Sequence, residues 1–157
     1  MLRLTKLADY GILLMTHMAA SEEKLHTAGD LSAVTHVPQP TVSKILQMLL
    51  NDQLLVSIRG ARGGYRLARP AKEISIVNVI STLEGHIALT ECNLDDCDCA
   101  QQPVCGISGS WQRINEAVHM ALQGITLADM VQSDFMPVMR MERAVPLKAV
   151  EEMEVRT

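Results

Sequence analysis

Only four of the 157 residues are aromatic: Tyr10, Tyr65, Trp111 and Phe135. A core without aromatic bulk has to be filled by aliphatic side chains and by the ten methionines. No run reaches the roughly 18 apolar residues that a membrane-spanning helix needs. No cysteine lies outside residues 92–105, and no C-x-x-C pair occurs anywhere. A disulfide framework spread through the fold is therefore excluded, and the paired knuckles of a common zinc site are missing. No internal repeat is present. Net positive charge is also lacking, since the chain carries 14 Lys/Arg against 18 Asp/Glu, for −4.

That deficit is unevenly spread. Residues 1–80 hold nine Lys/Arg and six Asp/Glu, a local balance of +3. Residues 81–157 hold five and twelve, a balance of −7. A basic front half joined to an acidic back half suggests two tasks. The start, "MLRLTKLADYGILLMTHMAA", has the apolarity of a signal sequence. It is interrupted by Asp9, Gly11 and His17 and has no convincing cleavage site, so it reads as a mature helix. The expected location is cytoplasmic, and no membrane partner is expected.

Thr5 is placed to N-cap a helix over about 6–20. Leu7, Ala8, Tyr10, Ile12, Leu13, Leu14, Met15 and Met18 cover nearly its whole circumference. A helix apolar all round is buried on all sides, here between subunits. Thr27 and Asp30 form a T-x-x-D capping box that opens a short helix to about Val34. After "THV" a second helix begins, with Pro40 in its first turn. Val42, Ile45, Leu46 and Leu49 make its apolar stripe. Gln39, Thr41, Ser43, Lys44 and Gln47 lie away from that stripe.

The pattern is helix–turn–helix. "LLVSIRGARGGYRLARP" follows, with strands over 55–59 and 65–68 and "GARGG" as the hairpin tip. Arg59, Arg62, Arg66 and Arg69 crowd this hairpin, as they would in a winged helix. Further on, Ser75 caps a helix that Gly85 stops. Ser110 is placed to cap a longer helix to about Gln123, along which Trp111, Ile114, Val118 and Leu122 line up. Trp111 and the methionines are expected in the core or a dimer interface. Thr126 and Asp129 form another T-x-x-D box. From about 133 periodicity is lost, which reads as a mobile tail.

The expected fold is mainly α with a small β-hairpin wing: a winged helix-turn-helix plus a dimerisation helix. The expected division is a DNA-binding domain over 1–85, a cysteine loop over 86–106, a dimerisation region over 107–132 and a tail over 133–157. In duplex DNA the second helix would enter the major groove N-terminus first. Gln39, Thr41, Ser43 and Lys44 are then the candidates for base and phosphate contact. Arg59, Arg62 and Arg66 would grip backbone or minor groove. His26 and His36 are expected as turn residues, and His17 as packed or partly exposed.

Cys92, Cys97, Cys99 and Cys105 sit in "ECNLDDCDCAQQPVC" at C-x₄-C-x-C-x₅-C spacing. Soft thiolates suit zinc, copper(I) or iron–sulfur clusters. Wide spacing on a polar loop fits a cluster, which is larger than one ion. Zinc and free redox thiols remain alternatives. An enzyme is not expected, because the thiols lack a nearby base, a cofactor loop and a substrate-pocket signature.

"RLTKLADYG", the wing "SIRGARGGYRLARP", the cysteine loop and "TLADM" together resemble the Rrf2 family of winged-helix regulators. That group contains the iron–sulfur sensor IscR and the nitric-oxide sensor NsrR. The resemblance runs from residue 1 to about 132. Within the family the chain is most similar to proteobacterial regulators of the SUF iron–sulfur assembly operon.

The resemblance implies a homodimeric repressor whose subunits each hold an iron–sulfur cluster, 2Fe-2S or 4Fe-4S, near the partner's first helix. The usual family spacing is C-x₅-C-x₅-C. Carried over, it implies Cys92, Cys99 and Cys105 as ligands, with Cys97 as the alternative to Cys99. Some members use a His shortly after the last cysteine, where this chain has Ser108. Others use an Asp on the partner's first helix, which corresponds to Asp9. Sensing of nitric oxide or redox state, or a structural zinc, are the alternative readings.

Overall fold

The computed structural model describes residues 4–90, 93 and 105–132. Six helices and one hairpin follow in the order α1 (Lys6–Ala19), α2 (Ala28–Thr35), α3 (Gln39–Asn51), β1 (Leu55–Ile58), β2 (Gly64–Leu67), α4 (Ile76–Glu84), α5 (Ser108–Gln123) and α6 (Leu127–Val131). A 3-10 turn, Ala71–Glu73, joins the hairpin to α4. Sequence pattern did not announce it.

The helix starts follow their side-chain caps. The Thr5 hydroxyl accepts from Ala8 N–H at 3.3 Å. Reciprocal boxes open α2 (Thr27 with Asp30), α4 (Ser75 with Asn78) and α6 (Thr126 with Asp129). Each satisfies N–H groups that a helix start leaves orphaned. Ser110 does not cap α5. That helix begins two residues earlier, behind Ile107, and has no side-chain cap. Gly85 ends α4 at φ 85°, a left-handed value glycine adopts without strain.

The core is aliphatic, as the shortage of aromatics requires. Leu14, Met15 and Met18 of α1 pack with Ile45, Leu46 and Leu49 of α3 and with Val79, Ile80 and Leu83 of α4. Full burial of one such side chain stabilises by about 1.5–3 kcal/mol. At Gly11 a Cβ would overlap Leu83 Cδ1, so the present seating of Leu83 against α1 depends on Gly11 having no side chain.

α1 is not buried all round in the single protomer. Asp9 is exposed and Leu13 is 45% exposed, while the opposite face is covered. α6 returns from the far side of the cysteine loop. Leu127 is fully buried in the same core. Leu127 N–H donates to Ile74 O at 2.9 Å, and Ile76 N–H to Ile125 O at 2.8 Å. The chain after the loop is thus stitched back onto the helix-turn-helix unit.

Candidate nucleic-acid interface and cysteine loop

α2 and α3 are joined by His36, Val37 and Pro38. His36 takes the left-handed conformation, φ 59°, and its N–H donates to Ser32 O at 2.9 Å. Ser32 Oγ donates to Val37 O at 2.7 Å, and Val37 is buried. The turn is therefore held from both ends, which sets the angle at which α3 leaves. The Asp30 carboxyl is held below its ordinary value by the Thr27 hydroxyl and then by the Thr27 backbone N–H.

α3 buries Val42, Ile45, Leu46 and Leu49. Gln39, Ser43 and Lys44 are exposed, and Thr41 is half-buried. The helix starts at Gln39 behind Pro38 with no side-chain cap, so its first turn is open toward whatever it approaches. The hairpin stands beside it, anchored by buried Leu54, Leu55 and Leu67. Its register is Leu55↔Leu67, Val56↔Arg66, Ser57↔Tyr65 and Ile58↔Gly64.

Arg59, Arg62 and Arg66 are exposed. Among the described residues, neither these arginines nor Lys44 has an ion-pair or hydrogen-bond partner for its side chain. Cations left unpaired on a protruding helix and its neighbouring hairpin are available to phosphates.

A tight approach fixes the hairpin. His26 N–H donates to Tyr65 O at 2.9 Å, and Tyr65 N–H to His26 O at 2.8 Å. A Cβ at Gly64 would lie 2.9 Å from His26 O. A Cβ at Gly63 would overlap Ile58 O. The glycines of "GARGG" therefore serve close backbone approach as well as the turn. His26, expected as a turn residue, is buried. Nothing in its sequence neighbourhood signalled that, because the tie comes from a strand some forty residues away.

The cysteine loop leaves α4 and returns to α5. Cys92, Cys97 and Cys99 lie outside the described residues, as does the tail. Both ends of the loop rest on α5. Leu89 N–H donates to Asn115 Oδ1 at 3.0 Å. Asn93 Nδ2 reaches Thr90 Oγ1 at 2.9 Å and, more distantly, Trp111 O at 3.5 Å. Ser108 Oγ donates to Cys105 O at 3.3 Å. Cys105 is a half-buried free thiol.

Asp9 is exposed on the first turn of α1, and no described residue bonds its carboxylate. Glu84, at the end of α4, reaches the start of α1: its Oε1 accepts from Thr5 N–H at 2.7 Å. A cavity of about 320 Å³ opens there, lined by residues that include Leu4, Glu84, Leu89 and Leu122.

α5 is 16 residues long and buries none of them. Trp111, Val118 and Leu122 are half-buried, while Ile114 is 46% and Met120 61% exposed. No described helix is long and apolar enough to cross a membrane.

A capped turn, an outward polar helix and a cationic hairpin define a winged-helix DNA-binding protein. Comparison with known proteins makes this specific. The Rrf2 family, described as "Iron-dependent Transcriptional regulator", matches residues 4–133. The chain belongs to that family of DNA-binding transcriptional regulators.

It is 33% identical over 133 residues to "Protein aau3" of Rhizobium meliloti (strain 1021), covering 84% of this chain and 86% of that one. It is 29% identical over 136 residues to the HTH-type transcriptional regulator NsrR of Oceanobacillus iheyensis, covering 85% and 92%. Among solved structures it matches CymR, the global cysteine regulator of B. subtilis, with TM-score 0.68 and 28% identity over 83% of this chain and 97% of that one. T. potens IscR shares the fold, with TM-score 0.65 and 24% identity over 83% and 86%. The family and its neighbours are regulators, not enzymes.

Proposed function

We propose that this protein is a cytoplasmic, homodimeric repressor that reads iron–sulfur cluster status and controls SUF-type assembly genes. The observation that carries the proposal is the seating of the cysteine loop. Both of its described ends, at Leu89–Asn93 and at Cys105, are held by α5. α5 itself has an apolar face that one protomer leaves open. A helix in that condition calls for a second copy. The thiols would thus lie on the element that joins the subunits, where occupancy can act on their relative placement.

The donor set fits the group. Cys105 is a free, half-buried thiol, and thiolates are the usual ligands of iron–sulfur clusters. Cys92, Cys99 and Cys105 would hold it, with Cys97 as the alternative to Cys99. Asp9 of the partner subunit would complete the set, since its carboxylate is exposed and unengaged. When bound, the cluster supplies a centre sensitive to iron supply, oxidation and nitric oxide.

The chain's own residues do the rest. Gln39, Thr41, Ser43 and Lys44 read the major groove, and Arg59, Arg62 and Arg66 hold phosphates or the minor groove. Affinity responds only if the two conformations hold the ligand unequally.

A second reading, nitric-oxide or redox sensing, is supported by relatives that carry the name NsrR. Structural zinc is the remaining alternative. Anaerobic purification with iron, sulfide and zinc analysis separates these readings. Iron with labile sulfide is expected, and stoichiometric zinc without sulfide would sink the cluster. Duplexes from upstream of SUF-type genes are expected to bind holo and apo protein unequally. Equal affinity would remove the sensor. Exposure of the holo form to nitric oxide or to iron limitation then tells which signal changes DNA binding.

A further inference from the structure

His26 is 2% exposed, although histidine is only intermediate in its tendency to be buried. Its ring meets His17 of α1 edge-on, with centroids 5.6 Å apart and an interplanar angle of 72°. The backbone carbonyl of Ser21 faces the ring as an acceptor and favours a proton on it. Nε2 is buried with no partner among the described residues. The neutral tautomer that carries its proton on Nδ1 leaves Nε2 a bare, unpaired acceptor. A proton there would add a buried donor and a buried charge, neither of them satisfied. Meanwhile the backbone of the same residue makes both hydrogen bonds that tie β2 to the end of the α1 region.

We propose that His26 is a positioning residue for the DNA-binding wing: in its neutral form it holds strand β2 in place, and on taking up a proton it releases the hairpin and weakens DNA binding. The proposal rests on the wing's role as a DNA contact. The charged and titratable groups that act on the ring are His17 on α1, Lys24 in the same loop and Asp30 on α2, while Tyr65 of the wing meets His26 through its backbone. Burial, His17 and Lys24 oppose a proton on His26, while the Ser21 carbonyl and then Asp30 favour it.

Burial, the largest influence, holds the imidazole below its ordinary 6.5. The sign follows. The released hairpin leaves His26 in water, where it titrates near its ordinary value. The tie is therefore fully formed above that value. It is lost as pH falls from there through the depressed value of the folded state.

The test uses the full chain. The His26 ring is followed by NMR between about pH 7.5 and pH 5.5. Protection of the Tyr65 amide, corrected for intrinsic exchange, is measured over the same range, as is affinity for a mixed-sequence DNA duplex. Tyr65 protection and duplex affinity are expected to fall together, starting near the ordinary histidine value and levelling off past the midpoint of the folded-state His26 titration. His26→Asn keeps a side-chain N–H for Ser21 and does not titrate, so both profiles are expected to flatten. His17→Gln is expected to keep the fall.

Wild-type Tyr65 protection that ignores the His26 titration overturns the proposal. So does a His26→Asn profile identical to wild type. Should His26→Asn not fold, the wild-type comparison of ring and amide decides alone. Protection that falls while duplex affinity holds rejects the positioning role. Absence of duplex binding at every pH instead rejects the DNA reading of the wing, and the amide data stand apart from it.

Discussion

Thr5 N–H donates to Glu84 Oε1 at 2.7 Å, which binds the first turn of α1 to the last turn of α4. Asp9 projects from one of these turns, and the cysteine loop departs from the other. Glu84→Ala removes the acceptor and leaves the start of α1 less well held. A stability loss of about 1 kcal/mol is expected, read as a lowered urea midpoint. If Asp9 completes the partner's site, cluster loss under air should also quicken in this variant.

Gly11→Ala places a methyl group where Leu83 Cδ1 now sits. The packed helices α1 and α4 must move apart or Leu83 must change rotamer. The expected loss is about 1–3 kcal/mol by chemical denaturation. Adding Leu83→Ala should recover part of it, because the two changes share one contact. Strict additivity in the double-mutant cycle would contradict that contact.

Lys44→Ala and Arg62→Ala remove cations that are exposed and unpaired among the described residues. If each meets a phosphate, each variant should reduce the slope of log affinity against log salt by about 1. Gln39→Ala should instead relax base preference at one position and leave the salt slope near wild type. A Gln39 variant that changes only the salt slope would place that side chain on the backbone.

Asp30 and Asp129 are each held below the ordinary 3.8 by a threonine hydroxyl and then by that threonine's backbone N–H. Their contribution to stability is complete above that value and is lost as pH falls through the lower folded-state value. The box at Ser75 uses Asn78, which does not titrate, so it provides an internal contrast. Replacing Asp30 and Asp129 together by Asn should flatten the acid limb of the stability curve below about pH 4. An unchanged limb would mean that other carboxylates dominate it.

Cys92→Ser and Cys105→Ser should each abolish the visible absorption of anaerobically purified protein. Cys99→Ser should do the same and Cys97→Ser should not. The reverse result for this last pair would assign Cys97 in place of Cys99. All four variants retaining colour would remove the loop as the site.

Much of the winged-helix framework was legible in the sequence because its signals are local. A capping box acts over four residues, and an amphipathic stripe over two turns. The Thr27–Asp30 box, the stripe Val42–Ile45–Leu46–Leu49 and the Gly/Arg hairpin each sit where the pattern put them. Ser110 misled because a serine before an apolar residue looks like a cap. α5 starts at Ser108 without one, in the stretch where the returning loop meets it. The ligand set is visible in the sequence only as a list of candidates, since which thiol and which carboxylate meet depends on chain and subunit placement.

"ECNLDDCDCAQQPVC", the polar face of α3 and the cationic hairpin belong to the sequence alone, as do the aliphatic core and the helix starts. These depend on residue type and short-range period. Tertiary structure decided that Leu127, beyond the cysteine loop, completes the core of the helix-turn-helix unit. It also decided that Gly11 exists for Leu83, that both loop ends rest on α5, and that His26 is buried beneath the wing. Each of these joins residues that are remote along the chain. No periodicity or cap records such a contact, because it exists only once packing has excluded water from both partners.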